Sequence, residues 1–121
     1  MRRYIQAMKR IFALTSIVAA LAFSAPAAAQ VDGFSIVNKT GGAMSGIALR
    51  RVGAGEWMPL TVAPAAGASV QAPFSNPDCA FDLRANVAGV GSVTWNGVNL
   101  CDVKTVTLNR DAAGRAWVDY D

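Results

Sequence analysis

Two cysteines, Cys79 and Cys101, bracket the most regular alternation of apolar and polar residues in the chain, and together they restrict the fold more than any other feature. After Cys79, residues Phe81, Leu83, Ala85 and Val87 fall on one side of an extended strand, and Asp82, Arg84 and Asn86 fall on the other. Val93 and Trp95 return along the apolar side after a glycine-rich turn. A turn centred on Gly89-Val90-Gly91 sets Cys79 opposite Cys101. Directly opposed residues lie about 5 Å apart, which suits a disulfide. One local feature conflicts with this register: Val98 and Leu100 have the opposite parity to Trp95 and Cys101. A bulge or change of pairing is therefore expected at Asn96-Gly97, where glycine tolerates positive φ. Asn-Gly is also a two-residue hairpin signal, so a turn at that point is the alternative.

The first 29 residues read as an export signal rather than as part of the fold. Arg2, Arg3, Lys9 and Arg10 form a basic start, Ile11 to Phe23 is apolar, and Ala27-Ala28-Ala29 supplies a signal-peptidase site. The apolar run falls short of the roughly 20 residues that span a bilayer. Cleavage after Ala29 leaves Gln30 as the mature N-terminus and predicts a periplasmic or secreted bacterial protein with no stable membrane insertion. Arg2-Arg3 hints at twin-arginine export, but the second basic cluster before the apolar run fits an ordinary Sec signal better. No cysteine follows the cleavage site, so a lipid anchor is not expected.

Four of the 11 basic residues lie in this leader, which leaves seven against eight acidic residues in the mature chain. The basic character of the whole chain thus belongs to the signal, and no nucleic-acid partner is expected. Residues 30–121 make a single domain with a modest core. In an exported chain the two cysteines are expected to pair, which in the loop-closure model contributes about 3 kcal/mol. A metal site is not expected, because the chain has no histidine and no third thiolate.

Apolar periodicity stays close to two along the mature chain, and Gly and Pro interrupt it too often for long helices. Candidate strands run over Phe34–Asn38, Gly46–Val52, Glu56–Val62, Ala68–Phe74, the two arms of the cysteine hairpin, Lys104–Leu108 and Arg115–Tyr120. The expected fold is all-β, a small antiparallel sandwich or partly closed barrel of seven or eight short strands.

Without histidine there is no Ser-His-Asp or Cys-His nucleophile system and no imidazole base. No catalytic residues and no cofactor are assigned. Asp78 and Asp82 are close in sequence but read as surface carboxylates. Asp119 and Asp121 lack the turn glycine and oxygen ligands of a calcium loop and read as a frayed acidic end. Of the three tryptophans, Trp95 and Trp117 lie within strands and read as core, whereas Trp57 follows the Gly53-Ala54-Gly55 turn. Trp57 reads as a core or rim anchor, with a stacking platform for a sugar or partner as the alternative. Asp82 and Arg84 share a strand face and are, with Trp57, the candidate binding residues. Asn38-Lys39-Thr40 matches a glycosylation sequon and equally a strand end with a turn.

Several of these pieces occur together: Phe34-Ser35-Ile36-Val37-Asn38-Lys39-Thr40-Gly41, a mid-chain Trp57, Cys79-Ala80-Phe81-Asp82-Leu83-Arg84 and Val98-Asn99-Leu100-Cys101. The set resembles a family of small exported bacterial proteins of unassigned function. The resemblance implies a periplasmic or secreted β-rich domain with paired cysteines, and brings no activity or ligand with it. Members often follow the tryptophan with glycine and an acidic residue, where this chain has Met58-Pro59. The leading functional expectation is a non-catalytic domain that binds a protein or glycan of the cell envelope. The alternatives are a small hydrolase or lyase working with carboxylates alone, or an inhibitor that inserts the Gly53–Trp57 loop into an envelope hydrolase.

Overall fold

The computed structural model describes residues 29–121. The leader expected over residues 1–29 lies, apart from Ala29, outside the described residues. Eight strands follow in order: β1 Val31–Lys39, β2 Met44–Arg51, β3 Met58–Pro59, β4 Ser69–Asn76, β5 Ala80–Val87, β6 Gly91–Asn99, β7 Thr105–Arg110 and β8 Ala116–Tyr120. They form two four-stranded sheets, ordered β4-β1-β7-β8 and β3-β2-β5-β6. The fold is the expected all-β sandwich and not a closed barrel. No helix among the described residues is long and apolar enough to cross a membrane.

Alternation decided which residues face inward. Phe34, Ile36, Ile47, Leu49, Ala72, Phe81, Leu83, Val106 and Leu108 are all fully buried. Phe74 of β4 meets Phe81 of β5 edge-to-face at 5.3 Å, so this aromatic pair joins the two sheets. Trp95 is also buried, and its indole N–H donates to the Asn109 carbonyl at 3.1 Å. Trp117 departs from its expected core position and is 43% exposed, because β8 is an edge strand and Trp117 lies on its outer side. One pairing also departs from the antiparallel expectation: β1 and β7 run parallel, with Ile36 opposite Val106. Alternation is blind to the direction of a partner, and here the connection between the two strands passes through the whole second sheet.

The hairpin carries the expected bulge and a shifted turn. Leu83 pairs with Trp95 and Phe81 with Val98, so Asn96 and Gly97 together face Asp82. Gly97 takes the positive φ, 64°, that such a site favours. The extra residue reverses the parity of β6, which turns both Val98 and Leu100 into the core. The turn itself lies at Ala88-Gly89-Val90, one residue earlier than expected, and the Val90 amide donates to the Val87 carbonyl at 2.9 Å. The Asn96-Gly97 alternative for the turn does not occur. Cys79 and Cys101 are bonded with Cα atoms 5.0 Å apart. They are diagonal rather than directly opposite: the earlier turn moves the partner of Cys79 from Cys101 back to Asn99, and the bulge advances it to Leu100, whose amide donates to the Cys79 carbonyl at 2.9 Å.

At the other end of the sandwich, Asn38 is wholly buried. Its amide nitrogen donates to the carbonyls of Gly42, Pro64 and Ala65 at 2.8, 3.1 and 3.2 Å. Its amide oxygen accepts from the backbone and the hydroxyl of Thr40 at 3.0 and 2.6 Å. One side chain thus ties the β1–β2 turn to the 64–65 loop. Gly42 closes the same turn so tightly that an added Cβ would meet the Ala88 carbonyl oxygen at 2.4 Å. The chain end is not frayed: the Asp121 amide donates to Thr105 at 3.0 Å, and Asp119 accepts from the Asn109 side chain at 3.0 Å. In the β7–β8 turn, Asp111 accepts the backbone amides of Arg115 and Ala113 and pairs with the Arg115 guanidinium at 2.7 Å. The Arg115 amide, foremost, holds the Asp111 carboxyl below its ordinary value.

Two outcomes follow. Asn38→Ala removes the hub of a buried network, and should lower unfolding stability by about 2–3 kcal/mol in urea titrations, well beyond an exposed Asn→Ala change. Because the Asp111 value is depressed by folding, its contribution is complete above the unfolded-state value and is lost as pH falls through the folded one. The protection factors of the Ala113 and Arg115 amides, exchange rates referred to the intrinsic rate at each pH, should therefore fall below that point, and Asp111→Asn should remove the acid step.

Candidate functional site

Strand register assembles one row of side chains across the outer face of the β3-β2-β5-β6 sheet. Leu49 pairs with Met58, which places Trp57 beside Arg50. Arg50 pairs with Asp82, and Asp82 faces the Asn96-Gly97 bulge. Trp57, Arg50, Asp82 and Gly97 therefore follow one another from edge to edge, with Arg84 two residues along β5 from Asp82.

Each member has a definite partner. Asp82 is 7% exposed as a residue, although its position on β5 points away from the core. One carboxylate oxygen accepts from the Arg50 guanidinium at 3.1 Å, and the other accepts the Gly97 amide at 3.1 Å. The bulge leaves that amide without a strand partner, and the carboxylate supplies one. The Arg50 guanidinium carbon also lies 4.5 Å from the centre of the Trp57 ring, and that of Arg84 lies 4.1 Å from it. Both contacts are within cation–π range. Trp57 is partly buried as a result, a rim anchor clasped by two cations.

Charge in the row is not balanced. The row holds two guanidinium groups and one carboxylate, which pairs with Arg50; Arg84 makes no ion pair among the described residues. The Arg50 side chain is 33% exposed, yet its Nε is buried without a hydrogen-bond partner.

All three sequence-predicted binding residues meet here, although not as expected. Asp82 is not a solvated partner of Arg84; it pairs across the strands with Arg50 because register sets the two opposite each other. Arg50 was missed. Its outward parity relative to buried Leu49 was readable, but its apposition to Asp82 depends on the β2–β5 register. The Gly53–Trp57 loop does not present Trp57 at its tip, since the ring folds back onto the sheet. Asp78 stands apart from the row, paired with Arg51 at 3.5 Å in a shallow groove that also holds Glu56. No cluster of three or more metal-ligating side chains occurs among the described residues. The two N–H groups of the Asn38 amide are taken up by three carbonyls, one hydrogen being shared, so the folded chain does not present it as a glycosylation acceptor.

No protein-family model, curated protein or solved structure matches this chain.

Removal of the central carboxylate tests the row as a structural unit. Asp82→Ala leaves both the Gly97 amide and the Arg50 guanidinium without an acceptor, and should cost about 2–3 kcal/mol in urea unfolding. Arg84→Ala, which breaks only a rim cation–π contact, should cost about 1 kcal/mol or less.

Proposed function

We propose that this chain is an exported, non-catalytic β domain that binds a protein or glycan component of the cell envelope through the face carrying Trp57, Arg50 and Arg84. The observation behind this reading is the uncompensated positive charge fixed on an aromatic ring. Arg84 stacks on Trp57 with no carboxylate partner among the described residues, and the Arg50 Nε has no acceptor. A guanidinium held over the Trp57 ring has little freedom left to lose on binding, and its fork of donors matches a carboxylate or phosphate. The indole edge beside it suits the apolar face of a sugar ring or a partner's side chain. The signal-like N-terminus and the disulfide support an oxidising, extracytoplasmic setting.

The competing readings find less support. A hydrolase built on carboxylates needs two of them across a cleft. Asp82 has both oxygens engaged in the row, and Asp78 is paired with Arg51 on a shallow surface. An inhibitor needs a rigid protruding loop, and the residue with most contact area in that loop is turned back onto the sheet.

Retention on isolated envelope fractions tests the proposal. The wild-type chain should be held at low ionic strength and released as salt screens the contact. Arg84→Glu should weaken retention about tenfold or more while the chain still unfolds in one cooperative thermal transition, its midpoint lowered by no more than several degrees. Equal retention of the two proteins, no retention of either, or turnover in a hydrolase substrate screen would each count against it.

A further inference from the structure

Four strands lie at the sheet edges, and three of them carry a device that discourages further pairing. β3 has only two residues, β4 contains Pro73, and β6 is kinked by the Asn96-Gly97 bulge. β8 lacks all three: Ala116–Tyr120 contains no proline or glycine, no register shift interrupts its pairing with β7, and its one charged residue is Asp119, bound to the Asn109 side chain. Of the four large hydrophobic residues exposed among the described residues, two, Trp117 and Tyr120, lie on this one five-residue strand.

The hydrogen bonds fix which backbone groups are on offer. Thr105 and Asp121 exchange both of their bonds, at 3.2 and 3.0 Å, and the Asp111 amide donates to Arg115 at 3.0 Å. Narrow pairs alternate with wide ones in an antiparallel ladder. Residues 115, 117, 119 and 121 thus address β7, while Ala116, Val118 and Tyr120 direct their N–H and C=O groups to the open edge.

We infer that β8 is the interface for a second copy of this chain, paired antiparallel about a two-fold axis through Val118. That register sets each of the outward-directed residues against another: Val118 meets Val118, and Ala116 meets Tyr120 of the second copy. The side chains agree with it. Arg115 comes opposite Asp121 at both ends, a pair of opposite charges repeated by symmetry. The large Tyr120 ring lies over the small Ala116, and it is already braced by the Asn99 amide, which donates to its hydroxyl at 3.0 Å. Trp117 lies on the outer face, diagonal to its symmetry mate and within aromatic reach. A register shifted by one residue would oppose backbone groups that already bond β7, so it forms no ladder. Two sheets of four strands then merge into one of eight, and the unprotected edge disappears.

Sedimentation of the purified chain, expressed from its full coding sequence, should show a monomer–dimer equilibrium between micromolar and millimolar concentration. The amides of Ala116, Val118 and Tyr120 should gain protection from hydrogen exchange over the same range. Asp121→Arg, which sets like charges together twice, should weaken the dimer about tenfold or more without changing the monomer's circular dichroism. Ala116→Pro should abolish it by removing a ladder donor. A chain that stays monomeric throughout overturns the proposal, as does a dimer in which those three amides exchange freely or one that is indifferent to Asp121→Arg. Protection of the three amides that appears only on addition of envelope extract would also overturn it, in favour of a foreign strand.

Discussion

The carboxylate of Asp82 beneath the Gly97 bulge is the contact on which most of this structure turns. An inserted residue in β6 leaves a backbone amide unpaired, and a buried carboxylate accepts it. Because that amide is satisfied, the bulge is stable. Because the bulge is stable, β6 changes parity and delivers Val98 and Leu100 to the core. Together with the early turn, the same displacement sets Leu100 opposite Cys79 and makes the Cys79–Cys101 bridge a diagonal one. A buried carboxylate in turn requires a cation, and the opposite position on β2 holds Arg50. Arg50 then shares the face of Trp57 with Arg84. Register, core, disulfide and the candidate binding surface are thereby linked through one side chain.

The two ends of the sandwich are secured by different chemistry. At one end a covalent bond staples β5 to the chain just beyond β6. At the other, the buried amide of Asn38 spends its donors on three carbonyls and its oxygen on Thr40, so the loops there converge on a single hub. A small domain with a limited core gains most from such fasteners where loops leave the sheets, since loop backbone otherwise has few partners. Asp111 does the same on a smaller scale for the β7–β8 turn, and so sets where the exposed edge strand lies.

Between these ends, the outer face of the β3-β2-β5-β6 sheet bears the unbalanced charge, and the edge of the other sheet bears the unpaired backbone. They are separate surfaces with separate physics: fixed guanidinium donors on an indole in one case, open ladder groups on β8 in the other. Occupation of one does not require occupation of the other.

Several features were decided by the sequence alone. Period-two alternation specified strands and their inward residues, because side chains on an extended chain alternate between core and solvent. The parity break between Trp95 and Val98 located the bulge, since no unbroken strand can turn both residues inward. Two cysteines at the ends of one hairpin specified their own pairing. Tertiary structure decided the rest, because each remaining feature depends on a partner distant in sequence. The parallel β1–β7 pair, the exposure of Trp117 on an edge strand, and the exact turn at Ala88–Val90 follow from how whole sheets assemble. The candidate site shows the division most clearly. Asp82 and Arg84 were legible as outward-facing residues and Trp57 only as an anchor or platform, but that Arg50 joins and neutralises one of them was set by the β2–β5 register, which alternation constrains only to one parity or the other.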